Sequence, residues 1–203
     1  MGAPLYQLLG GPTRTKVRVL TPLKTGSVEE LKRAWDAGAR AFSVPLPERP
    51  YDVVGRLETL RSATGEAADF VVSCEGRLRA AEAARIARSL ERFHLLWMDE
   101  PCRNGMKAIA EETVVPLGFS GSLERMRDLL REGVAGILRP DLDKLGATGV
   151  RKIAALAETY YVAVAPLSVN DNQAIQVAAS LANFFIHESR TLPLRDGYLE
   201  VHA

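Results

Sequence analysis

The chain has 203 residues, of which 47% are hydrophobic and 25% charged, enough apolar content to bury a real core. Its formal net charge of +1 gives no electrostatic case for nucleic acid or an anionic membrane as a partner. No apolar run approaches the roughly 20 residues that span a bilayer, and Met1 to Gly11 lacks the basic, apolar and small-residue order of a signal peptide.

The first strand is expected at Lys16 to Thr21 (KVRVLT), where apolar residues alternate. Ser27-x-x-Glu30 is a capping box; the helix it opens runs through Trp35 and stops at Gly38. Arg40 to Leu46 reads as the second strand, halted by Pro45 and Pro47, followed by a helix over Val53 to Ser62 and a third strand over Asp69 to Glu75. Ala80 to Phe93 is the clearest helix, with Ala83, Ile86, Ala87 and Leu90 on one face. Leu95 to Asp99 is the fourth strand and Met106 to Glu112 a short helix.

The second half is more regular. Strand Val114 to Phe119 leads to a helix over Leu123 to Glu132, capped by Ser122 and closed by Gly133. Ala135 to Arg139 is a strand, Thr148 to Tyr160 a helix, Tyr161 to Ala165 a strand, Asn172 to Leu181 a helix, and Phe184 to Glu188 the eighth strand. After it come SRTLPLRDG and a strand-like YLEVH, with no further helical pattern. Strand and helix alternating at this spacing predict parallel pairing with right-handed crossovers, hence a small (β/α)8 barrel of the TIM type without its last helix. No linker divides the chain, so residues 1–203 read as one domain, with 1–14 an entry linker and 189–203 a C-terminal tail. Without a final helix, an apolar flank between the first and last strands is expected to lie bare and favour self-association. Cys74 and Cys102 stand beside strand ends outside any CxxC spacing, and read as reduced thiols of a cytoplasmic protein rather than a disulfide or zinc site.

The strand ends carry Cys74-Glu75-Gly76-Arg77, Trp97-Met98-Asp99-Glu100-Pro101, Leu138-Arg139-Pro140-Asp141, Gly146-Ala147-Thr148, Val164-Ala165-Pro166 and Ala182-Asn183-Phe184-Phe185-Ile186-His187-Glu188. In this order, and preceded by Pro4 to Gly11, they resemble the barrel domain of the enolase superfamily, in its mandelate racemase and muconate lactonising enzyme-like branch and nearest in look to the acid-sugar (galactonate-type) dehydratases. The resemblance implies Mg2+ as cofactor, because proton abstraction beside a carboxylate makes an enediolate whose charge a hard cation must neutralise. It also implies an N-terminal capping domain over the substrate, for which this chain offers no counterpart segment.

Carried over position by position, the resemblance leaves much of the site blank. The first metal-ligand position falls on Ser73, the second on Asp99 and the third within Phe119-Ser120-Gly121, with Gly121 the best match. The lysine-base positions fall on Ser43 and Pro45, and the histidine-base position on Leu167. The candidates that remain are Asp99 and Glu75 as metal ligands, Glu75, Asp141 and Glu188 as catalytic groups, and Glu188 as a substrate contact. Each has a plainer reading: Asp99 and Glu100 meeting solvent or an arginine such as Arg77 or Arg139, Glu188 pairing with Arg190 or Arg139, and Asp141 capping the segment that leads into Gly146. His187, His94, Trp97 and Phe185 read as packing residues. The expectation is therefore an acid-sugar-dehydratase-like barrel with impaired catalysis, against the alternative of a metal-dependent lyase or racemase with its metal moved to Glu75 and Asp99, helped by Ser120 or Ser122. A small carboxylate or acid sugar is the implied ligand; a second copy, or a full-length homologue, is the implied protein partner.

Overall fold

Alternation at Lys16–Pro22 makes β1 half-buried on one side and fully buried on the other, and successive apolar runs repeat the pattern. The computed structural model describes residues 3–201. Met1 and Gly2 of the expected linker, and His202 and Ala203 of the expected final strand and tail, lie outside the described residues.

In chain order the elements are α1 (Leu5–Leu8), β1 (Lys16–Pro22), α2 (Val28–Asp36), β2 (Ala41–Pro45), α3 (Val53–Thr64), β3 (Asp69–Ser73), α4 (Ala80–Leu90), β4 (Trp97–Asp99), α5 (Met106–Ala110) and β5 (Leu117–Phe119). They continue with α6 (Leu123–Arg131), β6 (Ile137–Leu138), α7 (Leu142–Glu158), β7 (Ala163–Val164), α8 (Asp171–Ser180), β8 (His187–Glu188) and β9 (Tyr198–Glu200). The sheet runs β7-β6-β5-β4-β3-β2-β1-β8 with every neighbouring pair parallel, and β9 lies antiparallel on β1. An isolated parallel bridge between Val164 and Phe184 brings the approach to β8 beside β7. The parallel α/β sheet expected from the strand and helix cadence is thus present, and it curls.

The curl has its cause in two apolar layers. Leu20, Ala41, Val71, Trp97, Ile137, Ala165 and Ile186, drawn from seven segments around the sheet, meet in one buried cluster on its inner side. A larger cluster, including Leu31, Phe42, Leu57, Phe70, Ile86 and Ile153, lies between the outer face and the helices. Burying a large apolar side chain stabilises by about 1.5–3 kcal/mol, so both faces favour the curled sheet over an open one.

Local signals set most helix ends. Ser27 accepts the Glu30 amide at 3.2 Å as expected, but the Glu30 carboxylate reaches further back and accepts the amides of Lys24 and Thr25, at 2.6 and 2.9 Å. Ser122 caps α6 through the Arg125 amide. The helix expected from Thr148 begins earlier, because Asp141 caps a first turn at Leu142; Gly146, at φ 66, breaks the ladder between that turn and the rest of the helix. The expected linker contains the short helix α1, which packs on α8.

Two expectations are corrected. The third strand stops at Ser73, and Glu75 has a left-handed backbone with φ 55. Strand alternation therefore does not carry Glu75 onto the face of Ser73. Nor is the flank between the first and last strands bare. β1 pairs directly with β8, and α8 packs over both. The tail then crosses the outside: Leu194 donates its amide to Ala37 at 2.8 Å, Gly197 to Gly38 at 2.7 Å, and Leu194 is itself buried. Among the described residues no helix follows β8. A mainly apolar groove remains beside the tail, lined by Pro22, Leu23, Ala34 and Leu192 together with charged residues such as Lys24 and Arg190.

Gly38 is where α2 and the tail meet. It has φ 95, and a Cβ there would run into the Leu194 backbone carbonyl. Gly38→Ala is expected to cost about 2 kcal/mol or more, since it adds both strain and a backbone clash. Urea denaturation should show the loss, and proteolysis should cut first within residues 189–201.

Candidate functional site

Residues at the C-terminal ends of barrel-like strands converge because alternate side chains point inward. Asp99 ends β4, Arg139 follows β6 and Glu188 ends β8, three alternate strands of the curled sheet, so the three side chains fall in one layer. Arg139 spans the space between the acids. Its Nη1 donates to Asp99 Oδ2 and its Nη2 to Glu188 Oε2, the latter at 2.6 Å. The guanidinium also lies over the Trp97 ring, 5.6 Å from its centroid. Trp97 Nε1 in turn donates to Asp99 Oδ1 at 3.1 Å, so the tryptophan is both floor and hydrogen-bond donor. Gly118 on the neighbouring β5 makes room for this pair: a Cβ there would collide with the Trp97 ring and stand 2.9 Å from Asp99 Oδ1.

Burial governs the charges. Asp99 and Arg139 are 6% and 5% exposed. Desolvation pushes the Asp99 carboxyl up to about 6, against the pull of Arg139 and Trp97, with the neighbouring Glu188 and Glu100 charges adding to the rise. Burial works against the Arg139 charge as well, but Asp99 and Glu188 hold it above its usual value. Arg139 Nε is buried without a hydrogen-bond partner, so the two carboxylates take all the polar contacts of this side chain among the described residues.

The other candidates lie elsewhere. Glu75 is exposed and borders a groove with Glu100, Arg103, Ser120 and Arg125 rather than the Arg139 network. Glu100 is held by Arg125 in a two-pronged pair, with Arg125 Nη1 on Oε1 at 2.9 Å and Nη2 on Oε2 at 2.8 Å, and Ser120 donates its amide and hydroxyl to Oε1. Burial opposes the Glu100 charge, yet these donors keep it below the ordinary carboxylate range. Arg77 donates to the carbonyls of Leu46 and Pro47 and meets neither acid. Asp141 accepts the amides of Asp143 and Lys144 and pairs with the Lys144 ammonium, which is the geometry of a helix cap. Of the candidate residues, then, Asp99 and Glu188 are brought together, and Glu75 and Asp141 stand apart.

A magnesium ion does not fit these donors. Asp99 has both oxygens engaged, by Trp97 and Arg139, while Ser73 and Gly121 bring no carboxylate. Among the described residues no group of three or more His, Cys, Asp or Glu side chains is placed to hold a metal ion. Magnesium requires near-octahedral oxygen ligands and gives up water reluctantly. A fixed guanidinium between the acids takes the charge complement it would need.

Sequence reasoning missed one further network. His187 is 1% exposed, on the outer side of β8, with Nε2 2.9 Å from Asp171 Oδ1 and Nδ1 3.3 Å from the Pro166 carbonyl. Ser189 and Thr191 donate to Asp171 Oδ2. The His187 hydrogen bond, with the two hydroxyls against some burial, lowers the Asp171 carboxyl to about 2. Both hydroxyls bond the carboxylate and not the imidazole, so this is a clasp joining α8 to the tail and not a nucleophilic triad. Asp171 at the start of α8 and His187 in β8 are joined by no spacing rule that the sequence shows. A polar cavity of about 540 Å3 opens beside this clasp, lined by Ser168, Asp171, Glu188, Arg190 and Thr191 among others.

The profile of the family described as Enolase C-terminal domain-like matches residues 26–202. A D-galactonate dehydratase from Variovorax paradoxus is 31% identical over 190 residues, covering 82% of this chain and 49% of that protein. A D-xylonate dehydratase from Haloferax volcanii is 27% identical over 219 residues, covering 90% of this chain and 53% of that protein. The chain therefore spans about half the length of the curated relatives it matches. Among solved structures, a racemase from Streptomyces coelicolor with bound magnesium superposes with a TM-score of 0.89 at 24% identity, over 97% of this chain and 63% of that one.

The buried Asp99 carboxyl predicts a specific pH response. The folded chain holds the Asp99 proton more tightly than the unfolded chain, so this contribution to stability is complete below the ordinary carboxylate range and is lost as the pH rises through about 6. Melting temperatures measured from pH 4 to 8 should therefore fall more steeply, or rise less, for the wild type than for Asp99→Asn. Parallel curves would contradict the assignment.

Proposed function

This chain belongs to the enolase C-terminal domain-like family and is an acid-sugar-dehydratase-like domain of the enolase superfamily, and from that premise we propose that its barrel mouth does not carry out metal-dependent proton abstraction. One observation carries the reading: Arg139 lies between Asp99 and Glu188 and occupies both. A base is wanting too in this reading, since the positions that the resemblance assigns to one hold Ser43, Pro45 and Leu167. An enediolate formed here would find a guanidinium already neutralised by two carboxylates, which has little charge left to stabilise a transition state.

The architecture behind the reading is a small (β/α)8 barrel in which the tail stands in place of the last helix. The cavity beside Glu188 favours a second reading of the same site: it holds a small carboxylate or acid sugar without turning it over. Glu188 and Arg190 there offer an acceptor for hydroxyls and a cation for a carboxylate. The open mouth, with Val169 95% exposed beside this cavity, supports association with a second copy or with a full-length homologue. No helix among the described residues is long and apolar enough to cross a membrane, and the buried free thiols Cys74 and Cys102 suit a cytoplasmic setting.

Two measurements test this. Incubation with D-galactonate or D-xylonate and excess magnesium is expected to give no dehydration product. Product formation that Asp99→Ala abolishes would overturn the proposal. Light scattering over a wide concentration range is expected to show a mass above that of the monomer, reduced in Val169→Asp; a monomer throughout would remove the case for self-association.

A further inference from the structure

Arg139 serves the two acids and not the scaffold. A side chain recruited to hold the fold together normally reaches backbone carbonyls, as Arg14 does at Ala178 and Leu181, Arg61 at Gly65, Ala68 and Phe93, and Arg77 at Leu46 and Pro47. Arg139 reaches none. Its hydrogen bonds go to Asp99 from Nη1 and to Glu188 from Nη2, and its Nε is left buried and unpartnered. The guanidinium is thus the positive centre of a small anionic chamber, with carboxylates arriving from β4 and β8 on opposite sides of the curled sheet.

Two further features mark the chamber as built for a cation. Asp99 is set from below by the Trp97 indole, and Gly118 leaves the space that this hydrogen bond requires. The carboxylate therefore has a donor other than Arg139 to fix one of its oxygens. The Trp97 ring also presents its face to the guanidinium, an arrangement that favours positive charge over that ring. Ser43 and Ser73, on the strands next in order, bring neutral oxygens to the same end of the sheet.

We infer that Arg139 is the resident cation of the barrel mouth: its guanidinium stands between Asp99 and Glu188 where a divalent ion would, excludes such ions from the wild-type chain with its single positive charge, and on removal leaves a divalent-cation site made by those two carboxylates. The inference rests on the reading that the wild-type mouth holds no divalent metal. It goes further in assigning the exclusion to one side chain and the latent site to two others. Carboxylates with water and hydroxyl oxygens suit Mn2+ and Mg2+, and Mn2+ is the better probe because it tolerates irregular shells and reports by paramagnetism.

The test is titration with Mn2+, followed by calorimetry and by the loss of the free-ion paramagnetic signal, on the wild type, Arg139→Ala, Arg139→Lys and the double variant Arg139→Ala with Asp99→Asn. Arg139→Ala is expected to bind one Mn2+ about tenfold or more tightly than the wild type and to gain melting temperature on adding it, by mass action on the folded state. Arg139→Lys keeps a charge in the chamber and is expected to bind as poorly as the wild type; the double variant is expected to lose the gain. Should Arg139→Ala not fold, Arg139→Gln, whose stem keeps its place over Trp97, is read in the same way. Tight Mn2+ binding by the wild type would overturn both this inference and the reading it rests on. Weak binding by the wild type and by Arg139→Ala or Arg139→Gln alike would overturn this inference alone.

Discussion

Moving a guanidinium and a carboxylate out of water costs several kcal/mol for each ion before any attraction between them is counted. Asp99 and Arg139 meet that cost at the end of a curled parallel sheet, where the inner apolar cluster around Trp97 fixes how far apart β4, β6 and β8 stand. The network and the curl depend on each other. The sheet places three alternate strand ends in one layer, and removing Arg139 would leave two carboxylates there without a cation, whereas protonating Asp99 leaves Arg139 paired with Glu188. That mutual requirement explains why a polar group with no bond to the backbone can sit so deep.

The same chain shows how environment separates chemically similar acids. Asp99 is pushed up because its burial outweighs one arginine shared with Glu188. Glu100, one residue later and less buried, is held down by its own arginine and by Ser120. Asp171 drops to about 2, because an imidazole and two hydroxyls converge on it. Adjacency in sequence decides little here: Asp99 and Glu100 belong to different networks, since Glu100 turns away with φ 42 and pairs with Arg125. A carboxylate pair before a proline is thus not one site but two.

The tail has a comparable double role. Residues after β8 cross α2 through Gly38, return as β9 on β1, and hang from Asp171 through Ser189 and Thr191. The strip between first and last strands is closed by the β1–β8 pairing and by α8 packed over both, with backbone hydrogen bonds from the tail added on the outside. Irregular chain needs such partners because each buried amide and carbonyl must be satisfied. The apolar groove left beside Leu192 is the part that this solution does not reach.

Periodicity, caps and glycines were enough to place the eight parallel strands, most helices, and the order in which strand ends enter the mouth, because these features follow from interactions within a few residues. The residues Ser43, Ser73, Gly121 and Leu167 already told which side chains are not carboxylates or bases. Other properties were decided only by the tertiary structure. Glu75 left the mouth because β3 ends two residues sooner than its apolar run suggested. Arg139, one of several arginines open to Asp99 and Glu188 on paper, became their shared partner because only the curled sheet sets β4, β6 and β8 around a common centre. His187, a packing residue by sequence, became a partner of Asp171 because α8 packs against β8 and brings its first turn to that side chain. Local sequence fixes where a side chain points along its own strand; which charge it meets across the lumen depends on strand register and curvature, which no short stretch of residues contains.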